Sequence, residues 1–302
     1  MTEYSRSPLA RLEPAGLASD LLEQGALMLR ARASLEEFLA FSARCAASWG
    51  PFVEQGSQQG QQQSVGGNSG RSTVAGLASL FTTTGRTQGH PVPLHGELYF
   101  QQRRPPELLW FYCAQAPESD GMTWLCDGIS LFAALPQPIQ AQLSQRRLVY
   151  QRRLDCAYWQ QYGKDPEKVL EWFTAQGYAI SWNEDGSLST CFMAPALIER
   201  GGEPVFINNL LPFGLRQIQT PEATRARVCF EGEQPIAPEL VLEIEAIAAG
   251  LTRAVAWQAG DVVLVDNTRT LHGRGAVSGS QREVYVRMSQ AGFLAELLEA
   301  EG

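Results

Sequence analysis

Histidine is scarce in this chain of 302 residues, and the scarcity limits the ways in which a metal site could be built. The histidines are His90, His95 and His272. His95 stands two residues before Glu97 in VPLHGELYF, a stretch with the composition of a strand. On a strand, side chains two residues apart point to the same face, so this imidazole and this carboxylate would lie side by side. His272, in TRTLHGRG, is the remaining good candidate for a third ligand.

Two histidines and one carboxylate form a facial ligand set that suits Fe(II) oxygenases, because it leaves coordination positions open for the reactants. An H-x-E pair alone is nevertheless a weak signal. His95 equally suits a half-buried strand histidine, Glu97 an ion-paired edge residue and His272 the cap of a turn. The spacing of the residues therefore leaves both the metal-site and the structural interpretation open.

The segments around these residues predict a mixed α/β chain with a mainly β core. Residues 16–48 carry apolar side chains at three- and four-residue spacing, which predicts helices, with Ser34 and Glu37 as a capping box. Strands are predicted over 92–127 because aromatic and β-branched residues are enriched there between Pro, Gly and Asp. Residues 128–177 are predicted to be helical again.

Later segments return to strands. A hairpin is predicted around 183–186, where Asp-Gly favours a tight turn, and the end of the chain reads as strand, turn, strand after one amphipathic helix. The sequence has neither βαβ alternation nor a glycine-rich phosphate loop, which argues against a Rossmann or P-loop fold. We expect one domain built on a β-barrel or jelly-roll core and decorated by helices, with a helical N-terminal part over 1–50.

One segment departs from the rest in composition. Residues 54–71 are rich in Gln, Gly and Ser and poor in apolar side chains, so they bury too little surface to order themselves. Two interpretations stay open: a surface loop, or a lid that closes over a bound substrate.

Charge and apolar patterning bear on partners and location. The net charge is −8 and the chain has no Lys/Arg run, so no footprint for nucleic acid or an anionic membrane is expected. No apolar window approaches the roughly 20 residues that cross a bilayer, and the first residues lack a signal-peptide pattern. We therefore expect a cytoplasmic protein whose six scattered cysteines are reduced. Homo-oligomerisation is left open.

Four motifs, in order, resemble the TauD/TfdA superfamily of dioxygenases: VPLHGELYF, PPELLWFYCAQAPESDGMTWLCD, WQAGDVVLVDNTRTLHGR and QREVYVR. The middle, GSLSTCFMAPALI followed by GGEPVFINN, is similar to the SyrP-like and clavaminate-synthase-like members. The resemblance runs from about Ser34 to Met288. It implies a double-stranded β-helix (jelly roll), a single oxygenase domain over 1–302, and Fe(II), 2-oxoglutarate and O2 as cofactors.

The resemblance also implies roles for individual residues. His95, Glu97 and His272 correspond to the iron ligands, and the presence of a carboxylate at Glu97 argues against halogenation. Arg287 stands where the family places the arginine that binds the distal carboxylate of 2-oxoglutarate, with Arg282 as the alternative if the register slips. Thr123 corresponds to a threonine that contacts the same carboxylate.

Seven further residues carry weaker expectations. Asn208, Asn209 and Arg274 are candidates for the substrate pocket, while the amides equally suit strand-end structural roles. Asp261 and the pair Asp266-Asn267 are expected to be structural. His90 has no role that the resemblance assigns.

The expected reaction is hydroxylation, desaturation or cyclisation at an unactivated C–H bond of a small molecule in specialised metabolism. The resemblance favours an amino acid, free or bound to a carrier protein. Two other classes remain: a catalytically silent barrel that binds a metal or ligand, and a Zn-dependent hydrolase that uses the same three ligands. The silent barrel predicts a broken ligand set or a missing 2-oxoglutarate arginine, whereas the hydrolase needs neither Arg287 nor Thr123.

Overall fold

A computed structural model describes residues 2–5, 8–54, 72–74, 76–83, 89–160, 162–221, 225–278 and 282–298 of the chain. Apart from Glu54, the segment 54–71 lies outside the described residues, so its role as a lid stays a prediction.

The core consists of two facing sheets between which the chain alternates. The larger sheet contains β1 (Thr2–Ser5), β2 (Ala26–Arg30), β3 (Thr73–Val74), β4 (Leu77–Thr82), β6 (Leu108–Gln115), β15 (Val262–Asp266) and β17 (Glu283–Ser289). The smaller sheet contains β5 (Val92–His95), β7 (Thr123–Asp127), β14 (Arg253–Val255) and β16 (Thr270–Arg274). Their strand orders are β1-β2-β15-β6-β17-β4-β3 and β14-β7-β16-β5. This is the predicted jelly-roll arrangement.

Apolar side chains from both sheets fill the space between them. They include Phe111, Leu125, Val255, Val286 and Trp257. The opposite face of the larger sheet packs against α1 (Pro14–Gln24) and α2 (Leu35–Trp49). Alternate residues of each strand therefore enter either the barrel interior or one of the outer layers.

A long insertion between β7 and β14 covers the outer face of the smaller sheet. Its helices are α3 (Gly128–Ala134), α4 (Gln137–Gln145), α5 (Cys156–Trp159), α6 (Pro166–Ala175), α7 (Leu210–Gln219) and α8 (Pro238–Leu251). Its strands are β8 (Arg147–Leu154), β9 (Ala179–Trp182), β10 (Leu188–Pro195), β11 (Ile198–Arg200), β12 (Glu203–Val205) and β13 (Ala226–Phe230). Four of them form a sheet in the order β13-β8-β10-β9, and α9 (Gly292–Ala295) follows the last barrel strand.

Two helix predictions are wrong in part. Residues 26–30 form β2, because Gly25 takes a left-handed φ of 71° that ends α1, and the backbone then pairs with β15. Residues 147–154, inside the segment predicted to be helical, form β8, whose side chains alternate between the core and the outer face. The capping box of Ser34 and Glu37 is confirmed.

Candidate active site

The two histidines of the sequence prediction meet across neighbouring strands. His272 on β16 is the register partner of His95 on β5, and their ring centroids lie 4.3 Å apart. Glu97 completes the group, with ligand atoms of all three residues within 4.8 Å of one another. The structure therefore brings together the three predicted ligands.

Glu97 reaches this group in a way that the sequence analysis did not predict. The strand β5 ends at His95, and Glu97 lies in the turn that follows. Asn267 fixes this turn, because its side-chain oxygen accepts from Glu97 N at 2.8 Å and its nitrogen donates to Glu97 O at 3.2 Å. Gly96 N donates to Asn208 O at 2.9 Å. Anchored backbone groups, rather than strand alternation, orient the carboxylate.

The protonation pattern of the cluster fits a divalent metal. His95 Nδ1 lies 2.8 Å from Pro93 O, and since a carbonyl only accepts, Nδ1 carries the hydrogen; in the neutral imidazole this leaves the lone pair on Nε2, the atom that would bind a metal. His272 is 5% exposed, and within the described part of the chain neither of its ring nitrogens has a hydrogen-bond partner. Its Nε2 lies 3.4 Å from Glu97 Oε2. A buried imidazole without hydrogen bonds beside a carboxylate is costly unless a metal binds both.

Gly96 is required sterically between the two predicted ligands. A Cβ there would lie 2.6 Å from Tyr99 Cδ2 and 2.9 Å from Ile207 Cγ1, both in buried side chains. We expect Gly96→Ala to lower the free energy of unfolding of the metal-free protein by about 1–3 kcal/mol, measured by urea denaturation, and to weaken Fe(II) binding. Gly16→Ala is the matched control, because a Cβ at Gly16 in α1 meets nothing within 4 Å. Gly16→Ala should be neutral or stabilising. An unchanged stability and metal affinity in Gly96→Ala would contradict this account of the turn.

Thr123 and Arg282 form a second polar group at the end of the barrel interior. Arg282 donates to Thr123 Oγ1 at 3.1 Å, to Gly121 O at 2.7 Å and to Thr83 Oγ1 at 2.8 Å. Trp257 Nε1 also donates to Thr123 Oγ1, at 3.0 Å. Because this oxygen already accepts twice, the hydroxyl hydrogen is left to donate to a ligand.

The buried positive charge of Arg282 also favours binding of an anionic ligand. Its guanidinium is buried, and among the described residues no ion pair involves it. Burial, followed by the positive charge of Arg274, lowers the pKa of Arg282 to about 10. A carboxylate beside it would relieve both effects through charge-assisted hydrogen bonds.

Thr123 of this polar group and His272 of the metal-ligand group project from the same face of the smaller sheet. Thr123 is the register partner of Arg274, and Leu125 is the register partner of His272. Thr123 and Arg274 thus stand two residues along the sheet from Leu125 and His272, a step of roughly 7 Å. A five-carbon dicarboxylate is of the size that bridges this step.

The structure does not bring Arg287 to this site. Val284, Val286 and Met288 point into the barrel interior, so Arg287 takes the other face of β17. There it donates to Ser42 Oγ at 2.7 Å and to Ser79 Oγ at 2.8 Å. Its guanidinium carbon lies 3.4 Å from the ring centroid of Phe52. Arg282, the alternative from the sequence, occupies the position next to Thr123.

The remaining candidates, Asn208, Asn209 and Arg274, differ in their hydrogen bonds. Asn208 binds the backbone through both side-chain atoms, donating to Ala196 O at 2.7 Å and accepting from Leu210 N at 2.8 Å. Asn209 is buried, and its side-chain oxygen has no hydrogen-bond partner among the described residues. Arg274 donates to Gly275 O and, at 3.2 Å, to His90 O.

The acidic positions Asp261 and Asp266, beside the last barrel strands, form ion pairs, as structural residues are expected to do. Asp266 is buried and pairs with Arg200 at 2.6 Å, and Asp261 pairs with Arg30 at 2.5 Å. Arg200 belongs to β11, so its pair with Asp266 ties the insertion to the barrel. No helix in the described ranges is both long and apolar enough to span a bilayer.

Comparison with known proteins agrees with this geometry. The profile of the family described as "Taurine catabolism dioxygenase TauD, TfdA family" matches residues 6–288. The chain belongs to this family. Because it is a TauD/TfdA family member, it is a non-haem Fe(II) dioxygenase that uses 2-oxoglutarate and O2.

The TauD/TfdA family relatives are distant in sequence. The dapdiamide synthesis protein DdaC of Enterobacter agglomerans is 25% identical over 221 residues, covering 67% of this chain and 67% of that protein. A clavaminate synthase-like protein of Arabidopsis thaliana is 27% identical over 228 residues, covering 70% of this chain and 68% of that one.

Solved TauD-type structures share the fold. A putative alpha-ketoglutarate-dependent taurine dioxygenase from Burkholderia xenovorans aligns with a TM-score of 0.57 at 16% identity, covering 96% of this chain and 89% of its own. PvcB from Pseudomonas aeruginosa aligns with a TM-score of 0.56 at 16% identity, covering 95% of this chain and 84% of the PvcB chain. PvcB is described as an Fe, alpha-ketoglutarate dependent oxygenase from an isonitrile synthetic pathway.

Proposed function

We propose that His95, Glu97 and His272 bind Fe(II). Arg282 and Thr123 then bind the distal carboxylate of 2-oxoglutarate, in place of the pair Arg287 and Thr123 that the resemblance implied. The observation that carries this proposal is the shared sheet face on which Thr123 and His272 stand one two-residue step apart, with Arg282 hydrogen-bonded to Thr123. The bound iron and 2-oxoglutarate supply an oxidative decarboxylation to succinate and CO2 that is coupled to oxidation of a C–H bond.

The residues of the chain perform binding, orientation and exclusion of water. Arg282 neutralises the carboxylate, while the hydroxyl of Thr123 donates a hydrogen bond to it. The apolar side chains of Phe111 and Leu125 lie next to His272 on the interior side. They keep water away from the reacting face, which strengthens the electrostatic contacts there.

We propose that the substrate is an amino acid, free or attached to a carrier protein, and that it is hydroxylated, desaturated or cyclised. The support comes from relatives: DdaC is named for dapdiamide synthesis, and PvcB is described as part of an isonitrile synthetic pathway. Both names belong to specialised metabolism.

The test is a screen of free amino acids with the Fe(II) enzyme, 2-oxoglutarate and O2, scored by succinate release and by mass spectrometry. A substrate should give one succinate per product, with gain of one oxygen or loss of two hydrogens. Hydrolysis products without succinate would instead support the zinc hydrolase. That alternative needs neither Arg282 nor Thr123, so activity that survives their replacement would also favour it.

A further inference from the structure

We infer that Asn267 is a positioning residue of the metal site: it holds the turn 97–101 in a strained conformation that directs the carboxylate of Glu97 towards His95 and His272. This inference rests on the proposed function, because it concerns the metal site formed by those three residues. It goes beyond that function in assigning the affinity of the site to a residue outside the ligand set and to backbone strain beside a ligand.

The strain lies at Leu98, the residue after Glu97. Its φ is 67°, in the left-handed region, where a leucine is uncommon because its Cβ crowds the backbone. Its side chain is only 4% exposed, and its carbonyl accepts from the backbone N–H groups of Gln101 and Gln102 at 3.1 and 3.0 Å. Since a strained residue persists only where its surroundings hold it, other contacts must fix this turn.

Asn267 provides contacts on both sides of Leu98. Before it in the chain, the side chain of Asn267 accepts from Glu97 N at 2.8 Å and donates to Glu97 O at 3.2 Å. After it, the hydroxyl of Tyr99 donates to the backbone oxygen of Asn267 at 3.0 Å. The same side chain also donates to Pro106 O at 2.7 Å. Leu98 is therefore held between two residues that are both hydrogen-bonded to Asn267.

Asn267 is itself fixed by buried contacts. It is 0% exposed, and its backbone N–H donates to Glu107 O at 2.8 Å. The preceding residue, Asp266, is buried and pairs with Arg200 at 2.6 Å. Because a buried and fully paired polar group resists displacement, the strain at Leu98 is borne by the turn rather than relieved by movement of Asn267.

The consequence is that the ligand geometry exists before a metal binds. With Asn267 present, folding has already placed Leu98 in the left-handed region. Without this side chain, residue 98 returns to an ordinary conformation, and metal binding must then restore the strained one. Residues that orient a metal ligand through hydrogen bonds typically change metal affinity by about 10- to 100-fold.

The first test measures the Kd for Fe(II), anaerobically and without 2-oxoglutarate, by calorimetry. Asn267→Ala should raise this Kd by about 10- to 100-fold. Asn183→Ala is the matched control, because Asn183 also fixes a turn through its side chain, donating to Ser187 O and Ser189 Oγ in the β9–β10 hairpin. It should leave the Kd unchanged. An unchanged Kd in Asn267→Ala overturns the inference.

Rescue by glycine separates positioning from a general loss of stability. Glycine adopts a left-handed φ without strain, so adding Leu98→Gly to Asn267→Ala should lower the Kd for Fe(II) by about 5- to 30-fold relative to Asn267→Ala alone. The double variant should nevertheless be less resistant to urea, since a buried leucine side chain is lost. Leu98→Ala is the control, because alanine loses nearly the same side chain but keeps the Cβ, and it should give no rescue. Equal Kd values with glycine and alanine at position 98 overturn the inference.

Tyr99→Phe keeps the test decisive if Asn267→Ala does not fold. It removes only the hydrogen bond from Tyr99 Oη to Asn267 O. The Kd for Fe(II) should rise by about 2- to 10-fold, the value of one net hydrogen bond. Leu98→Gly should again lower the Kd and Leu98→Ala should not. A Kd equal to that of the wild type in Tyr99→Phe contradicts the positioning role.

Failure of this inference is distinguishable from failure of the proposed function. Hydrogen exchange of the Glu97 amide in the metal-free protein reports on the turn without any metal. It should be faster in Asn267→Ala and unchanged in Asn183→Ala, and equal rates in all three proteins overturn the inference. Slow exchange that depends on Asn267, in a protein that does not bind Fe(II), sinks only the iron assignment. Fe(II) binding that Asn267→Ala leaves unchanged sinks only the positioning role.

Discussion

Arg282→Gln is expected to raise the Kd for 2-oxoglutarate by about 100-fold, because a buried, charge-assisted pair with the distal carboxylate is lost. Arg282 lies 3.1 Å from Thr123 Oγ1 within the interior end of the barrel. The Kd is measured anaerobically with Fe(II) by calorimetry. Arg282→Lys should recover only part of the affinity, since an ammonium does not reproduce the planar fork.

Arg287→Gln is the control that separates the two candidate arginines. It should leave the Kd for 2-oxoglutarate within about twofold of the wild type, while the loss of the hydrogen bonds to Ser42 and Ser79 lowers the free energy of unfolding by about 1–3 kcal/mol. The reverse pattern, with a large increase in Kd for Arg287→Gln and none for Arg282→Gln, would contradict the structural assignment.

His272→Leu should reduce turnover of 2-oxoglutarate by more than about 1000-fold, because one of the three metal ligands is lost. The metal-free protein should at the same time keep or raise its Tm. The reason is that the imidazole is buried without hydrogen bonds, and an apolar side chain of similar volume removes that cost. Succinate formation and calorimetric unfolding of the chelator-treated protein measure the two effects.

His90→Leu is the matched control for this substitution, since its side chain is exposed on a loop. It should leave both turnover and Tm unchanged. If His272→Leu strongly destabilised the metal-free protein, the histidine would be a structural core residue and the loss of turnover would say nothing about the metal.

The choice between Arg282 and Arg287 shows how much of the 2-oxoglutarate site can be predicted from the sequence. Counting fifteen residues from His272 leads to Arg287, but REVYVRM also contains the apolar stripe Val284, Val286 and Met288. The structure places that stripe in the barrel interior, so alternation within β17 excludes Arg287 from the interior face. Arg282 precedes the strand, and its hydrogen bonds to Gly121 and Thr123 fix its position instead.

Other parts of the fold could not be derived from local pattern. The segment ALMLR suits a helix or a strand equally, and only pairing with β15 decides for a strand. Glu97 lies in a turn beyond the end of β5 because its backbone N–H donates a hydrogen bond to the side chain of Asn267, 170 residues away in the sequence. Such long-range contacts decide the orientation of the carboxylate, whereas the identity of all three candidate ligands followed from the scarcity of histidine and the family motifs.

The central claim is that His95, Glu97 and His272 form an Fe(II) site that accepts 2-oxoglutarate. The most direct measurement is an anaerobic titration of the purified metal-free protein with Fe(II) and then 2-oxoglutarate, followed by visible absorption. We predict a weak charge-transfer band that requires both additions, is absent in His272→Ala, and persists in His90→Leu. A folded protein that binds metal and 2-oxoglutarate without this band, or a band that survives in His272→Ala, would contradict the claim.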